Sequence, residues 1–364
     1  MANEQYQKGK IELLYSRKQV EKAGNCIRKN QGDIDEAISI IRNYRAAHLY
    51  PLTIIKNLMW KYSRKKVPDA LIARRIKRLP TIIDKLRRST LDGNGQNALN
   101  LKRMQDIGGC RVIVSTKEQL LKFNELLNDS RTIHKTIRIK DYTVDKKTTG
   151  YRGIHRIYKC YDGKDQHPWK GFLIEVQLRT KLQHIWATTV EIVDLCEGNT
   201  LKTNPFESDK GWIEYFSIMS DFLAEEDGFI VLNNEQKNKM KSELLSLNRK
   251  LNAWNKLSSF KAVFSNKEIL KSSEGKSFAV LAVDNVNFEV AFSFYDKNEE
   301  GRALADYNKV EDEQERNALL VGMDDIKNLS SAYPNYIIDT SKFLQKYKIY
   351  ISSIYWQKTT QNNR

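Results

Sequence analysis

The feature that most constrains the fold is a series of strand-like runs between residues 109 and 180, with helical sequence around them. These runs are rich in β-branched residues or alternate polar and apolar side chains: GCRVIVS (109–115), RTIHKTIRI (131–139), HRIYKCY (155–161) and FLIEVQLRT (172–180). Helical patterns occupy 117–128 and 181–195. This arrangement predicts an α+β fold in which helices flank a mixed β-sheet.

The sequence before and after this region adds helices and a second, smaller module. Residues 1–90 place apolar side chains at helical spacing, and Pro51 and Pro80 are expected to interrupt the helices. Residues 207–257 are helical in pattern. Strand patterns at 277–284, 287–295 and 318–323, with a helix at 301–315, predict a small α/β module. We therefore expect a first domain at 1–200, a helical connector at 201–260 and a small regulatory domain at 261–364. The linker between the first domain and the connector is expected at 199–210.

Charge is distributed unequally between the two halves. Residues 1–200 contain 39 Lys and Arg against 21 Asp and Glu, a net of +18, whereas residues 201–364 contain 22 against 24, a net of −2. A basic half of this size is typical of a protein that binds a polyanion, such as a nucleoside triphosphate, a nucleic acid or an anionic lipid. An ordinary solvated basic surface is the structural alternative.

The composition excludes several classes of protein. No apolar run approaches the roughly 18 residues that a membrane-spanning helix needs. The N-terminus has no apolar segment of the kind found in signal peptides. The four cysteines are far apart and form no CxxC pair, which favours reduced thiols over a disulfide framework or a zinc site. These features predict a cytoplasmic protein with no membrane partner.

The first cluster of candidate site residues lies in RIKRLPTIIDKLRR. It contains Arg75, Lys77, Thr81, Lys85 and Arg88, and the last four share one face if the segment is helical. A row of cations with one hydroxyl can neutralise and grip a triphosphate. An ordinary basic helix face would give the same pattern.

The second cluster pairs two carboxylates from separate parts of the chain. Asp106 precedes a strand that carries Arg111, and Glu175 stands on a strand otherwise rich in apolar residues, with Gln177 and Arg179 on the same face. Two carboxylates can hold a divalent cation against phosphate oxygens. A buried salt bridge between Glu175 and Arg179 or Arg111 is the structural alternative.

The third cluster is the loop KDYTVDKKTTGYRGIH. Gly150 permits a tight turn, Tyr151 follows at once and His155 comes four residues later, while Lys140, Lys146 and Lys147 supply positive charge. An aromatic ring beside cations can stack on a nucleobase and clamp its phosphates. A plain hairpin loop with an incidental tyrosine is the alternative.

Together these clusters resemble the synthetase domain of the RelA/SpoT family over about residues 40–197. Members of that family transfer pyrophosphate from ATP to the 3′-hydroxyl of a guanine nucleotide. The resemblance implies Mg²⁺ as cofactor, ATP as pyrophosphate donor, and Asp106 and Glu175 as the metal-binding and catalytic pair. It also implies that ATP is bound by the first cluster, with Arg75 and Arg111 sandwiching its adenine. On the acceptor side it implies Tyr151, His155, Gln177, Lys140 and Lys147.

The acceptor loop departs from the family pattern. Lys146 stands where the family often has proline, Thr149 where it has asparagine, and Gly153 where a serine is usual after the tyrosine. These changes make the loop more basic and less suited to one guanine nucleotide. No His-Asp dipeptide occurs in the chain, so the family's hydrolase domain is expected to be absent.

A basic synthetase-like half followed by a near-neutral α/β module resembles the fused toxic small alarmone synthetases of the CapRel type. In that group the toxin domain pyrophosphorylates the 3′ CCA end of tRNA and so blocks aminoacylation and translation. The C-terminal domain acts as an antitoxin and phage sensor, with a Tyr-x-x-Tyr motif in the adenine site. Two such motifs occur here, Tyr333–Tyr336 and Tyr347–Tyr350, and we favour Tyr347 and Tyr350 as autoinhibitory. Core packing is the structural alternative for either motif.

The preferred function is therefore ATP-dependent pyrophosphate transfer to the tRNA 3′ end, with a phage structural protein, such as a capsid protein, as activator. Residues 37–105 contain 16 Lys and Arg against 3 Asp and Glu, more charge than a nucleotide requires, and Lys61, Arg64, Lys65 and Lys66 are the expected tRNA contacts. A GDP- or GTP-using alarmone synthetase and a non-catalytic RNA-binding module remain open as alternatives.

Overall fold

The computed structural model describes residues 10–77, 79–88, 99–164, 166–196, 210–254, 256–257, 276, 278–284, 290–311, 316–322 and 340–352. The chain forms two compact units. The first comprises Met1–Asp145 and Gly153–Lys181, and the second comprises Lys146–Arg152 and Leu182–Arg364. The predicted boundary at residue 200 lies outside the described residues, as do Tyr333 and Tyr336.

The first unit contains five strands, five α-helices and one short 3-10 helix (Leu101–Arg103) among the described residues. The helices are α1 (Arg17–Lys29), α2 (Ile34–Ala47), α3 (Leu49–Lys66), α4 (Leu79–Arg87) and α5 (Lys117–Asn128), and the strands are β1 (Leu71–Ile76), β2 (Gly108–Val114), β3 (Lys135–Asp141), β4 (Ile154–Lys159) and β5 (Leu173–Thr180). Short polar residues begin several helices. Ser16 forms a capping box with Gln19 at α1, and Asp33 accepts a hydrogen bond from the Glu36 amide at α2.

The strands form one sheet in the order β1-β2-β5-β4-β3. Strand β2 runs parallel to β5, and the other neighbours are antiparallel. One face carries buried apolar side chains, including Val112, Ile174 and Val176, and packs against helices such as α3. A Cβ on Gly108 would lie 2.6 Å from Ile174 Cδ1, so a larger residue there would require the end of the Ile174 side chain to move. This mixed sheet with flanking helices confirms the predicted fold class.

Two local predictions for residues 1–90 are wrong. Residues 71–76 form a strand, not part of a helix, because β1 is an edge strand whose side chains are mostly exposed and so show no polar–apolar alternation. At HLYPL the predicted helix break is present, because α2 ends at Ala47 and α3 begins at Leu49. The second wrong prediction is at Pro80, which lies at the start of α4 and does not interrupt a helix. Both prolines lie in the first turn of a helix, where an amide hydrogen has no partner within the helix to lose.

The second unit combines helices with the predicted small sheet. It contains α6 (Lys181–Cys196, from Leu182 onward), α7 (Lys210–Glu226), α8 (Asn234–Leu251), α9 (Glu300–Glu311) and a helix at 340–352, here α10. Strands β6 (Phe278–Asp284), β7 (Val290–Tyr295) and β8 (Arg316–Gly322) pair antiparallel in the order β7-β6-β8. Across the described ranges, every helix is too short or too polar to cross a bilayer.

Candidate functional site

Polar and charged side chains gather on the face of the first sheet opposite α3, here called the polar face. Strand register places them in two adjacent rows: Arg75, Gly109, Glu175 and Ile157 in one, and Ala73, Arg111, Gln177, His155 and Lys140 in the other. Directly opposed residues on neighbouring strands share a face. Four separate parts of the sequence therefore contribute to one surface, as the sequence analysis required.

Glu175 lies at the centre of a hydrogen-bonded group on the polar face. His155 Nδ1 lies 2.9 Å from Glu175 Oε1, and Gln177 Nε2 donates to Glu175 Oε2 at 2.7 Å. Arg179 donates to Gln177 Oε1 at 2.6 Å, so the Gln177 amide links the arginine to Glu175. The ion-pair contact that the described residues show for Glu175 is with His155.

The surroundings of Glu175 keep its carboxylate ionised. Burial alone would raise the pKa of Glu175, but the hydrogen bond and charge of His155 and the hydrogen bond from Gln177 outweigh it, and the pKa lies below its usual value. A carboxylate with a lowered pKa is a weak base and a good partner for cations. Its environment thus favours binding of a positive ion or group over proton removal.

Asp106 is held by two lysines. Lys77 Nζ lies 2.9 Å from Asp106 Oδ2, and Lys85 Nζ lies 2.9 Å from both carboxylate oxygens. Burial would raise the pKa of Asp106, but the charges and hydrogen bonds of Lys85 and Lys77 hold it below the usual range. Burial lowers the pKa of Lys77, and the charge of Asp106 opposes that shift. The three groups form a compact ionised cluster.

The basic residues between 75 and 88 are divided between a strand and a helix. Arg75 lies on β1, Lys77 directly follows that strand, Thr81 and Lys85 lie on α4, and Arg88 follows its last residue. The predicted helix face is therefore found only in part: Thr81 and Lys85 lie four residues apart on α4, whereas Lys77 precedes the helix. The cations still converge, since β1 brings Arg75 beside Gly109 while Lys77 and Lys85 meet at Asp106.

The residues present suit Mg²⁺ bound together with a polyphosphate. Within the described part of the chain, no three His, Cys, Asp or Glu side chains converge to form a metal cage. Mg²⁺ often uses only one or two protein carboxylates and completes its shell with substrate phosphates and water. Asp106 and Glu175 are both ionised, and the charge of Asp106 raises the pKa of Glu175, so the two interact electrostatically. Asp106 and Glu175 would hold the ion.

The acceptor loop, residues 146–152, belongs to the second unit. Tyr151 is only 6% exposed, with Lys147 Nζ 4.9 Å from its ring centroid and Trp186 6.3 Å away edge-on. The predicted stacking residue is thus covered in this conformation. His155 and Lys140, predicted for the same ligand, lie in the first unit on β4 and β3.

The predicted tRNA contacts form an exposed group at the end of α3, here called the α3 cation cluster (Lys61, Arg64, Lys65 and Lys66). Trp60 is 52% exposed beside them, with the Arg64 guanidinium 5.1 Å from its ring centroid. Trp60 was not among the predicted contacts, although its position beside four cations in WKYSRKK (60–66) is visible in the sequence. Exposed rings between cations are typical of surfaces that bind single-stranded nucleic acid.

The predicted autoinhibitory tyrosines pack within the second unit. Tyr347 is 2% exposed and contacts Tyr215 and Trp254, with ring centroids 6.0 and 5.8 Å away. Tyr350 stacks on Phe222 at 5.0 Å, and its hydroxyl donates to Glu226 Oε2 at 2.6 Å. Both rings would have to leave α7 before either could enter a nucleotide site.

An acid pair and converging cations on one face of a mixed sheet define a site suited to an enzyme that handles a polyphosphate. Residues 74–192 match the family model described as a region found in RelA / SpoT proteins. That match covers every strand of the polar face except the first three residues of β1, and it confirms the predicted RelA/SpoT-type region and supports its assignment as a pyrophosphokinase. None of the curated proteins matches the chain.

Solved structures similar to this chain include two small alarmone synthetases from Bacillus subtilis. Synthetase 2 is 18% identical, with 51% of this chain and 94% of that chain covered and a TM-score of 0.40. Synthetase 1, bound to its product pppGpp, is 21% identical, with 47% and 81% covered and a TM-score of 0.36. A GTP pyrophosphokinase family protein from Streptococcus pneumoniae is 21% identical, with 49% and 83% covered and a TM-score of 0.36.

Proposed function

We propose that this protein transfers a pyrophosphate group from ATP to the terminal 3′-hydroxyl of tRNA. The observation that carries the proposal is the polar face, where ionised Asp106 and Glu175 stand among cations from three strands and α4. Polyphosphate transfer needs this combination, because charge develops on the transferring group and must be stabilised in place.

The reaction is an in-line displacement at the β-phosphorus of ATP. The 3′-hydroxyl oxygen forms a bond to that phosphorus, the bond from the β-phosphorus to the bridging oxygen of the α-phosphate breaks, and AMP leaves. The hydroxyl proton passes to a base or to water. Mg²⁺, when bound, supplies charge neutralisation of the phosphates. The lowered pKa of Glu175 suits it to holding the cation better than to taking the proton.

The cations of the first unit have two roles in this proposal, binding of the phosphates and binding of the adenine ring. Lys77 and Lys85 are placed at Asp106, so they are the groups nearest the phosphates that this carboxylate would help to bind. Arg75 and Arg111 stand one row apart on neighbouring strands, consistent with a flat adenine ring between or beside their guanidinium groups. His155 orients the Glu175 carboxylate from β4.

The choice of tRNA over a free nucleotide rests on the α3 cation cluster. These four cations are exposed on α3, outside the polar face, and Trp60 adds an exposed ring among them. A guanine nucleotide bound on the polar face would have no need of them. A long polyanion would gain electrostatic attraction from each one.

Restraint of the enzyme by its C-terminal part, with release by a phage structural protein, belongs to the same proposal. The support is the docking of α10 on α7 in the second unit through buried aromatic contacts. A partner that binds the undocked state preferentially would shift the population towards it.

The test is transfer from γ-labelled ATP with Mg²⁺ to purified tRNA, GDP or GTP. We expect label in tRNA from the full chain that carries Tyr347→Ala and Tyr350→Ala, in which the restraint is released. We expect none once Glu175→Gln is added, which keeps the side-chain shape and removes the charge. Label in guanine nucleotide alone would favour an alarmone synthetase. Tight tRNA binding with no label in any acceptor would favour a silent RNA-binding module, and either result would contradict the proposal.

A further inference from the structure

The acceptor loop is tied to α7 at both of its ends by a single carboxylate. At one end, Lys146 Nζ donates to Asp221 Oδ2 at 2.5 Å and to the Ser217 carbonyl oxygen at 3.0 Å. At the other end, an Arg152 amino group donates to Asp221 Oδ1 at 2.7 Å. Asp221 therefore acts as a clamp across the whole loop.

The middle of the loop is packed against the same helix. Ser220 Oγ donates to the Gly150 carbonyl oxygen at 2.6 Å and accepts from Arg152 Nε at 3.2 Å. Gly150 has φ +88°, and a Cβ there would lie 3.0 Å from both Ser217 Cα and Trp186 Cζ2. Only glycine combines a positive φ with the absence of a Cβ at this close approach. Gly150 is therefore required for the docked conformation of the loop.

Docking leaves Tyr151 inaccessible to a stacking partner. The loop closes on itself, since the Lys147 amide donates to the Tyr151 carbonyl at 3.0 Å and the Gly150 amide donates to the Lys147 carbonyl at 2.8 Å. Lys147 also covers one side of the tyrosine ring. A nucleobase could reach that ring only after the loop changes conformation.

The clamp depends on charge. The Arg152 side chain is 5% exposed, so its guanidinium needs an anionic partner nearby, and Asp221 supplies it. Burial lowers the pKa of Lys146, while its hydrogen bond to Asp221 and the charge of that residue act in the opposite direction. Neutralising Asp221 would remove an anionic partner from both cations at once.

Helix α7 carries the acceptor loop and α10 on opposite sides. At 100° per residue the two sets point about 160° apart: Ser217, Ser220 and Asp221 towards the loop, and Tyr215, Phe222 and Glu226 towards α10. Lys346 adds an ion pair to Glu226 on the α10 side. One helix thus contacts both the acceptor loop and the C-terminal helix.

We propose that Asp221 is a positioning residue that holds the acceptor loop docked on α7 with Tyr151 covered. Release of its contacts to Lys146 and Arg152 is then the step that presents Tyr151 to the acceptor. This inference rests on the proposed function, in which Tyr151 stacks on the acceptor. If only a fraction of molecules has the loop released, the apparent acceptor affinity falls by that fraction.

The test compares Asp221→Asn with Glu214→Gln in the full chain. Glu214 is an exposed acid on the same helix, so its variant controls for loss of one negative charge. Hydrogen exchange of the Lys147 and Gly150 amides should accelerate about tenfold or more in Asp221→Asn and stay unchanged in Glu214→Gln. The acceptor KM should fall severalfold with kcat nearly constant, and Asp221→Glu should restore slow exchange.

A second variant protects the test against misfolding. Ser220→Ala removes the contacts to Gly150 and Arg152 without changing charge, and it should also accelerate exchange in the loop. Unchanged exchange in the folded variants, or a raised acceptor KM in Asp221→Asn, would overturn the proposal. Exchange is measured without any reaction, so accelerated exchange in a protein that transfers no label would support the clamp and refute the proposed activity alone.

Discussion

Replacing Asp106 with asparagine tests whether the cluster with Lys77 and Lys85 stabilises the fold as well as the site. The Lys77 side chain is 10% exposed and that of Asp106 is 21% exposed, whereas Lys85 is 31% exposed. Removing one partner of a buried ion pair costs about 3–5 kcal/mol, and an exposed pair contributes less than about 1 kcal/mol. Because this cluster is mostly buried, we expect Asp106→Asn to lower the free energy of unfolding by about 2–4 kcal/mol at pH 7.

The pH dependence of unfolding tests independently whether ionised Asp106 stabilises the folded protein. The pKa of Asp106 is lowered in the folded protein, so its contribution to stability is present above the unfolded value of about 3.9 and is lost as the pH falls towards the folded value. The difference between wild type and Asp106→Asn should therefore shrink steadily below about pH 4.

Urea denaturation of the full chain, followed by tryptophan fluorescence, measures both quantities. Asp84→Asn is the matched control, since Asp84 is an exposed acid on α4, and it should change stability by less than about 0.5 kcal/mol. Adding Lys77→Met to Asp106→Asn should cost less than the sum of the single changes. The reasoning would be refuted if Asp106→Asn lowered the free energy of unfolding no more than Asp84→Asn does. It would also be refuted if the stability difference between wild type and Asp106→Asn did not change with pH.

Two further predictions concern the acceptor and the restraint. Charge reversal of the α3 cation cluster should reduce tRNA labelling steeply and flatten its salt dependence. Charge reversal at four other exposed lysines is the control and should leave labelling unchanged: Lys18, Lys29, Lys122 and Lys239. An equal loss of labelling in both variants would contradict tRNA binding at the α3 cation cluster. The double variant Tyr347→Ala, Tyr350→Ala should be toxic on expression without a trigger and harmless once Glu175→Gln is added. A harmless double variant would contradict restraint through α10.

The sequence alone predicted the parts of the site that lie on regular strands. Alternation in LIEVQLRT correctly put Glu175, Gln177 and Arg179 on one face, because residues two apart on a strand point the same way. The edge strand β1 was not predicted, because its side chains are mostly exposed on both faces of the sheet. Arg75 and its neighbours therefore lack the alternation of polar and apolar residues that identifies a strand.

Contacts between distant parts of the chain were beyond sequence reasoning. Asp221 lies 75 residues after Lys146, inside a helix whose pattern shows only that one side is apolar. The burial of Tyr347 against Tyr215 likewise depends on how α10 docks, and a Tyr-x-x-Tyr spacing is equally compatible with packing and with exposure. Local pattern fixes which side chains share a face, whereas tertiary pairing decides what that face contacts.

The central claim is tested most directly by mass analysis of the 3′-terminal fragment of tRNA after incubation with ATP, Mg²⁺ and the full chain in which Tyr347→Ala and Tyr350→Ala release the restraint. The account predicts that the terminal adenosine gains one pyrophosphate on its 3′-hydroxyl, that AMP appears in equal amount, and that Glu175→Gln produces neither. Unmodified tRNA from an enzyme preparation that converts GDP or GTP would contradict the proposed acceptor. Unmodified tRNA and nucleotide from folded protein, with and without α10 docked, would contradict the transfer reaction itself.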